Sequence, residues 1–137
     1  MQETITIPNK LNSIQIVLDR VKRIHKKDNV TQESIQRIMI VLDELLSNII
    51  KYSFQDNEEH FIEVDYVFNR DAGQVEINIR DDGRVFDLNL YPICEDGLNE
   101  GGKGIKILKE LSDHIHYFRE GNLNNNKIWI QANCLTT

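Results

Sequence analysis

The amino-acid sequence predicts an α+β fold, a mostly antiparallel sheet with helices packed on one face. Three observations carry that expectation. Apolar residues recur at spacings of three and four over residues 11–26 and again from Thr31 to about residue 54. Short stretches at 2–7, 61–69, 74–80, 114–119 and 127–133 read as strands, most with period-two alternation. The resulting order is strand, helix, helix, two strands, long loop, helix, two strands, which lacks the strand–helix alternation that builds a parallel doubly wound sheet. With 137 residues, 40% of them apolar, one core forms without disulfides or structural metal, so a single domain over 1–137 is expected.

Thr4-Ile5-Thr6-Ile7 alternates and stops at Pro8, which reads as a strand. Leu11, Ile14, Val17, Leu18, Val21 and Ile24 then line one helical stripe, with Asp19, Arg20, Lys22, Arg23 and Lys26 on the solvated side. His25, followed by Lys26-Lys27, is expected at the surface of this helix. Asp28-Asn29 interrupts the period, and Thr31 is placed to cap a second helix, with Glu33 in a first turn where the helix dipole favours a carboxylate. Its core stripe is Ile35, Ile38, Leu42, Leu45, Leu46 and Ile49. Residues 61–69 and 74–80 form a hairpin closed by Asn69-Arg70-Asp71-Ala72-Gly73. From Asp81 to Gly104 the pattern dissolves into Asp, Asn and Gly, a loop of the length that is usually functional or disordered. Ile105, Ile107, Leu108 and Leu111 give a short third helix, and the last two strands close around Gly121–Asn126.

Charge and cysteine usage exclude several classes. Sixteen Lys and Arg against 22 Asp and Glu give a net charge of -6, leaving no basic excess for a polynucleotide. The apolar runs are too short for a membrane span or a signal sequence, and Cys94 and Cys134 form neither a disulfide framework nor a zinc pair, so a cytoplasmic protein is expected. His114 and His116 share one face of a strand but lack a third ligand nearby, which makes them solvent-face residues.

Three segments carry chemistry. On the second helix Glu44, Asn48 and Lys51 fall at i, i+4 and i+7, nearly opposite the core stripe. On helical spacing alone, an exposed polar face with an incidental Glu, Asn and Lys is the favoured reading. The alternative is a site in which a carboxylate accepts a proton, an amide oxygen binds magnesium and an ammonium faces phosphate. Asp81-Asp82-Gly83 ends a strand, and Gly101-Gly102-Lys103-Gly104 opens a helix, where free N–H groups attract anions. Gly97–Gly104 mimics a Walker A loop, but Gly104 stands where Ser or Thr must hold magnesium, and no buried strand precedes it.

Glu44-x-x-x-Asn48, Asp81-x-Gly83 and Gly102-x-Gly104, in that order, resemble the GHKL ATP-binding fold of gyrase, histidine kinases and MutL. The full segments Asp43–Tyr52, Asp81–Asp87 and Glu100–Leu108 look most like the anti-sigma-factor serine kinases of bacterial partner-switching systems. That resemblance implies a two-layer α/β sandwich with ATP between helices and sheet. It implies that Glu44 is the general base, that Asn48 binds Mg2+ and that Asp81 accepts the adenine amino group. Gly83 would let the backbone approach the base. Gly102, Lys103 and Gly104, with Ile105 beside them and Lys51 nearby, would face the phosphates. It further implies a sigma factor and an anti-anti-sigma antagonist as partners, and a homodimer, for which the edge of the first strand is available. The competing readings are a non-catalytic, ATP-gated binding module and a plain interaction domain.

Overall fold

The computed structural model describes residues 2–87 and 100–135, with the side chains of 100–105 excluded. Strand β1 (Gln2–Pro8) leads through a 3-10 turn at Leu11–Ser13 into α1 (Ile14–Lys27) and α2 (Gln32–Tyr52). Strands β2 (Phe61–Asn69) and β3 (Gln74–Asp81), helix α3 (Glu100–Leu111) and strands β4 (His114–Glu120) and β5 (Leu123–Gln131) follow. The strands form one sheet in the order β1-β2-β3-β5-β4, every neighbour antiparallel.

Strand alternation decides which face is covered. Ile5 and Ile7, Ile62 and Val64, Val75, Ile77 and Ile79, and Ile128 and Ile130 all point to one side and are buried. Val17 and Val21 of α1 and Ile38, Leu42, Leu45, Leu46 and Ile49 of α2 meet them, each fully buried. Burial of each such side chain contributes about 1.5–3 kcal/mol. The opposite face carries polar ladders: Arg80 bonds Glu63 at 2.9 Å and also pairs with Asp65, and Lys127 faces Glu76 at 3.5 Å. The two-layer arrangement follows directly from this asymmetry.

Helix boundaries have local causes. Asn29 adopts the left-handed conformation (φ 56°) just after α1, a role Asn tolerates well. The Thr31 hydroxyl accepts the Ser34 N–H at 3.2 Å, so α2 begins at the expected cap.

Four expectations are corrected. Leu11 is half exposed, at 51%, because it lies in the 3-10 turn and falls out of phase with the α1 stripe. His25 is fully buried, seated edge-on against Phe68 (4.9 Å) and Tyr66 (5.5 Å), its Nε2 in a close contact with the Tyr66 hydroxyl. Helix α3 starts at Glu100, ahead of Ile105: glycine costs about 1 kcal/mol in a helix interior, so the segment reads locally as loop, yet α3 packs along α2. The final hairpin closes on Gly121-Asn122 alone, with Gly121 at φ 61°, and Asn124, Asn125 and Asn126 belong to β5. Residues 88–99, most of the expected loop, lie outside the described residues.

Candidate nucleotide site

The C-terminal end of α2 meets the turn that follows β3, and α3 packs along α2. On α2, Asn48 is 3% exposed, so the polar trio is not a uniformly solvated face. Its Nδ2 donates to the Glu44 carbonyl at 2.6 Å, which leaves the side-chain oxygen as the atom with ligand chemistry for a hard cation. Glu44, one turn earlier, is half-buried. Burial, reinforced by Asp43, holds its carboxyl above the ordinary carboxylate range, against an opposing pull from Lys51. Lys51 itself is exposed.

Asp81 ends β3 with its side chain on the helix side of the sheet, 1% exposed. Oδ1 accepts the Gly83 N–H at 2.9 Å and Asn124 Nδ2 at 2.9 Å. Oδ2 is buried with no partner among the described residues. A buried carboxylate oxygen left unpaired is costly, and an incoming N–H donor relieves the cost. Burial raises the Asp81 pKa, and the bonds from Asn124 and Gly83 oppose that rise. The adjacent acid is differently employed. Asp82 turns outward and takes His60 Nδ1 at 2.9 Å, while His60 Nε2 reaches Asp56 at 2.7 Å.

Gly83 owes its place to close packing. A Cβ there would lie 2.3 Å from the Ser53 carbonyl oxygen, and the next residue, Arg84, donates its N–H to that same oxygen at 2.8 Å. The end of α2 is thereby clamped to the turn after β3. Gly102, Lys103, Gly104 and Ile105 lie in the first turns of α3, Gly102 where helical N–H groups lack intrahelical acceptors and Gly104 two residues further in. Their side chains are outside the described residues.

The structure thus gathers Glu44, Asn48 and Lys51 on one element and sets Asp81 and Gly83 against its end. Three further residues join them. Ser53 Oγ and Asn126 Oδ1 are buried and unpaired like Asp81 Oδ2, and Asn124 bonds Asp81 directly. The run Asn124-Asn125-Asn126 resembles turn chemistry, and only its register against β3, with Asn124 opposite Asp81 and Asn126 opposite Ile79, reveals its use. His114 and His116 lie on the open face beside Trp129 and Phe118, apart from this site.

An antiparallel sheet covered on one face by helices defines a two-layer α/β sandwich. The chain belongs to the histidine kinase-like ATPase domain family, whose model matches residues 7–131. It is 26% identical over 128 residues to serine-protein kinase RsbW of Listeria monocytogenes serovar 1/2a, covering 86% of this chain and 80% of that one. Against serine-protein kinase RsbW of Oceanobacillus iheyensis the identity is 23% over 120 residues, covering 80% and 73%. Among solved structures, the RsbU and RsbW domains of a Mycobacterium tuberculosis protein superpose with TM-score 0.67 at 10% identity, over 96% of this chain and 32% of that one. The histidine kinase domain of a blue-light-activated kinase from Erythrobacter litoralis gives TM-score 0.55 at 18% identity, over 91% and 61%. Both structures share the fold.

Proposed function

We propose that this chain is a magnesium-dependent protein serine/threonine kinase acting as an anti-sigma factor in the cytoplasm, which binds a sigma factor and phosphorylates an anti-anti-sigma antagonist. The observation that carries it is one face of α2, where Glu44 has a raised pKa and lies one turn before the buried amide of Asn48. The relatives named serine-protein kinase support the same reading.

Each residue then has a task. Asp81 Oδ2 accepts a hydrogen bond from the adenine amino group, beside the Gly83 turn. Asn48 offers its oxygen to Mg2+, which when bound neutralises phosphate oxygens. Lys51, Lys103 and the Gly102–Gly104 backbone, with Ile105 beside it, face the phosphates. Local positive potential of this kind is compatible with a chain of net charge -6. Glu44 takes the hydroxyl proton of the antagonist's Ser or Thr as its oxygen attacks the γ-phosphorus and ADP leaves. A carboxylate with a raised pKa is the stronger proton acceptor.

Replacing Glu44 by Ala is expected to cut transfer of labelled phosphate to the antagonist by at least about 10²-fold, the usual worth of a general base. Mg-ATP at about 100 times its dissociation constant still stabilises the variant by roughly 2.7 kcal/mol in a thermal shift. Equal loss of binding and transfer overturns the base assignment. Undiminished transfer does so too. Absence of transfer from the unsubstituted chain favours the ATP-gated binding module. Thermal shift suits the purpose better than Trp129 fluorescence, since that ring lies tilted against His114 on the open face of the sheet.

A further inference from the structure

Asn124 lies near the start of β5, in register with Asp81 and fully buried. Its amide makes four hydrogen bonds, the full complement of an Asn side chain. Nδ2 donates to Asp81 Oδ1 at 2.9 Å and to the Arg84 carbonyl at 2.6 Å. Oδ1 accepts from the Tyr117 hydroxyl at 2.5 Å and from Arg119 Nη1 at 2.9 Å. A guanidinium has donors only, so the oxygen must face Arg119 and the amide seats one way round. The same Nη1 reaches the Gly83 carbonyl at 3.1 Å. Two side chains of the edge strand β4 therefore orient one amide, and that amide holds both ends of the turn that follows β3.

We propose that Asn124 is a positioning residue for base recognition, oriented by Tyr117 and Arg119: by helping to saturate Oδ1 of Asp81 it leaves Oδ2 as the sole acceptor turned to an exocyclic amino group. This rests on the reading of Asp81 as the group that contacts the base of ATP. A buried Asn serving only the fold would stabilise the protein without regard to which nucleotide is bound. A positioning role alters discrimination between bases.

The test compares Mg-ATP with the magnesium complex of purine riboside triphosphate, which lacks the 6-amino group, by equilibrium binding to the full chain. The unsubstituted protein is expected to favour ATP by roughly tenfold or more, the worth of one hydrogen bond to a charged group. In Asn124→Ala that preference collapses through loss of ATP affinity, with affinity for the analogue unchanged. Arg119→Ala removes an exposed side chain, keeps the melting temperature near that of the parent and lowers the same preference several-fold; it carries the test if Asn124→Ala does not fold. An unchanged preference in the folded variants, or parallel loss of both nucleotides, overturns the positioning role. Equal affinity of the parent protein for both nucleotides overturns the reading of Asp81, and this proposal with it.

Discussion

His25 is buried against two aromatic rings with Nδ1 unpaired, and burial lowers its pKa from 6.5 to about 4 despite the nearby charge of Asp28. The unfolded chain therefore binds a proton between about pH 6.5 and 4 that the folded chain refuses. Stability attributable to this residue is complete above pH 6.5 and is lost as pH falls through that window, by roughly 3 kcal/mol. Urea unfolding at stepped pH checks this: His25→Gln should flatten the slope between pH 6.5 and 4, and an unchanged slope refutes it. His25 was invisible to sequence reading because its lysine neighbours mark a solvated arc, whereas the helix turns its ring inward onto Tyr66 and Phe68. Asp81 was legible by contrast, since its strand pattern and the following glycine already place it at a strand end. Which of its oxygens stays unpaired depends on a residue 43 positions away.

At the scale of elements, hydrophobic period carries most of the information. Ile38, Leu42, Leu45, Leu46 and Ile49 are read correctly as the core stripe of α2 because the 3.6-residue repeat leaves no alternative face. The start of α3 and of β5 escape the same reading, since Gly and Asn favour loops locally and only packing against α2 and pairing with β3 override them. The joint between α2 and the turn after β3 is equally hidden: the sequence places Gly83 after a strand end, and only the fold brings the Ser53 carbonyl against it. Gly83→Ala drives a methyl group to 2.3 Å from the Ser53 carbonyl oxygen, so backbone must move. The expected cost is about 1–3 kcal/mol or more, read as a lower urea midpoint together with weakened ATP binding. An unaltered midpoint would show that the joint yields freely.

For the molecule as a whole, the sheet order leaves β1 and β4 as edges. β4 presents His114, His116, Arg119 and Glu120, the kind of polar edge that discourages pairing, whereas β1 carries Thr4, Ile5, Thr6 and Ile7. A homodimer through β1 is the reading proposed for the assembly. Sedimentation equilibrium should then give twice 16.0 kDa, and the β1 amides that do not bond β2 should exchange more slowly as concentration rises. Exchange independent of concentration refutes pairing through that edge. The clamp between Ser53 and Gly83 also makes α2 a ruler. The helix holds the carboxylate of Glu44 at one graduation and the Gly83 turn at another, nine residues and about 13.5 Å along its axis. One residue inserted between them would rotate one end by about 100° relative to the other and lengthen the span by about 1.5 Å. The same insertion in the Asn69–Gly73 turn would disturb neither mark, so the chain's tolerance of length change is set by which parts of it hold these two marks at a fixed distance.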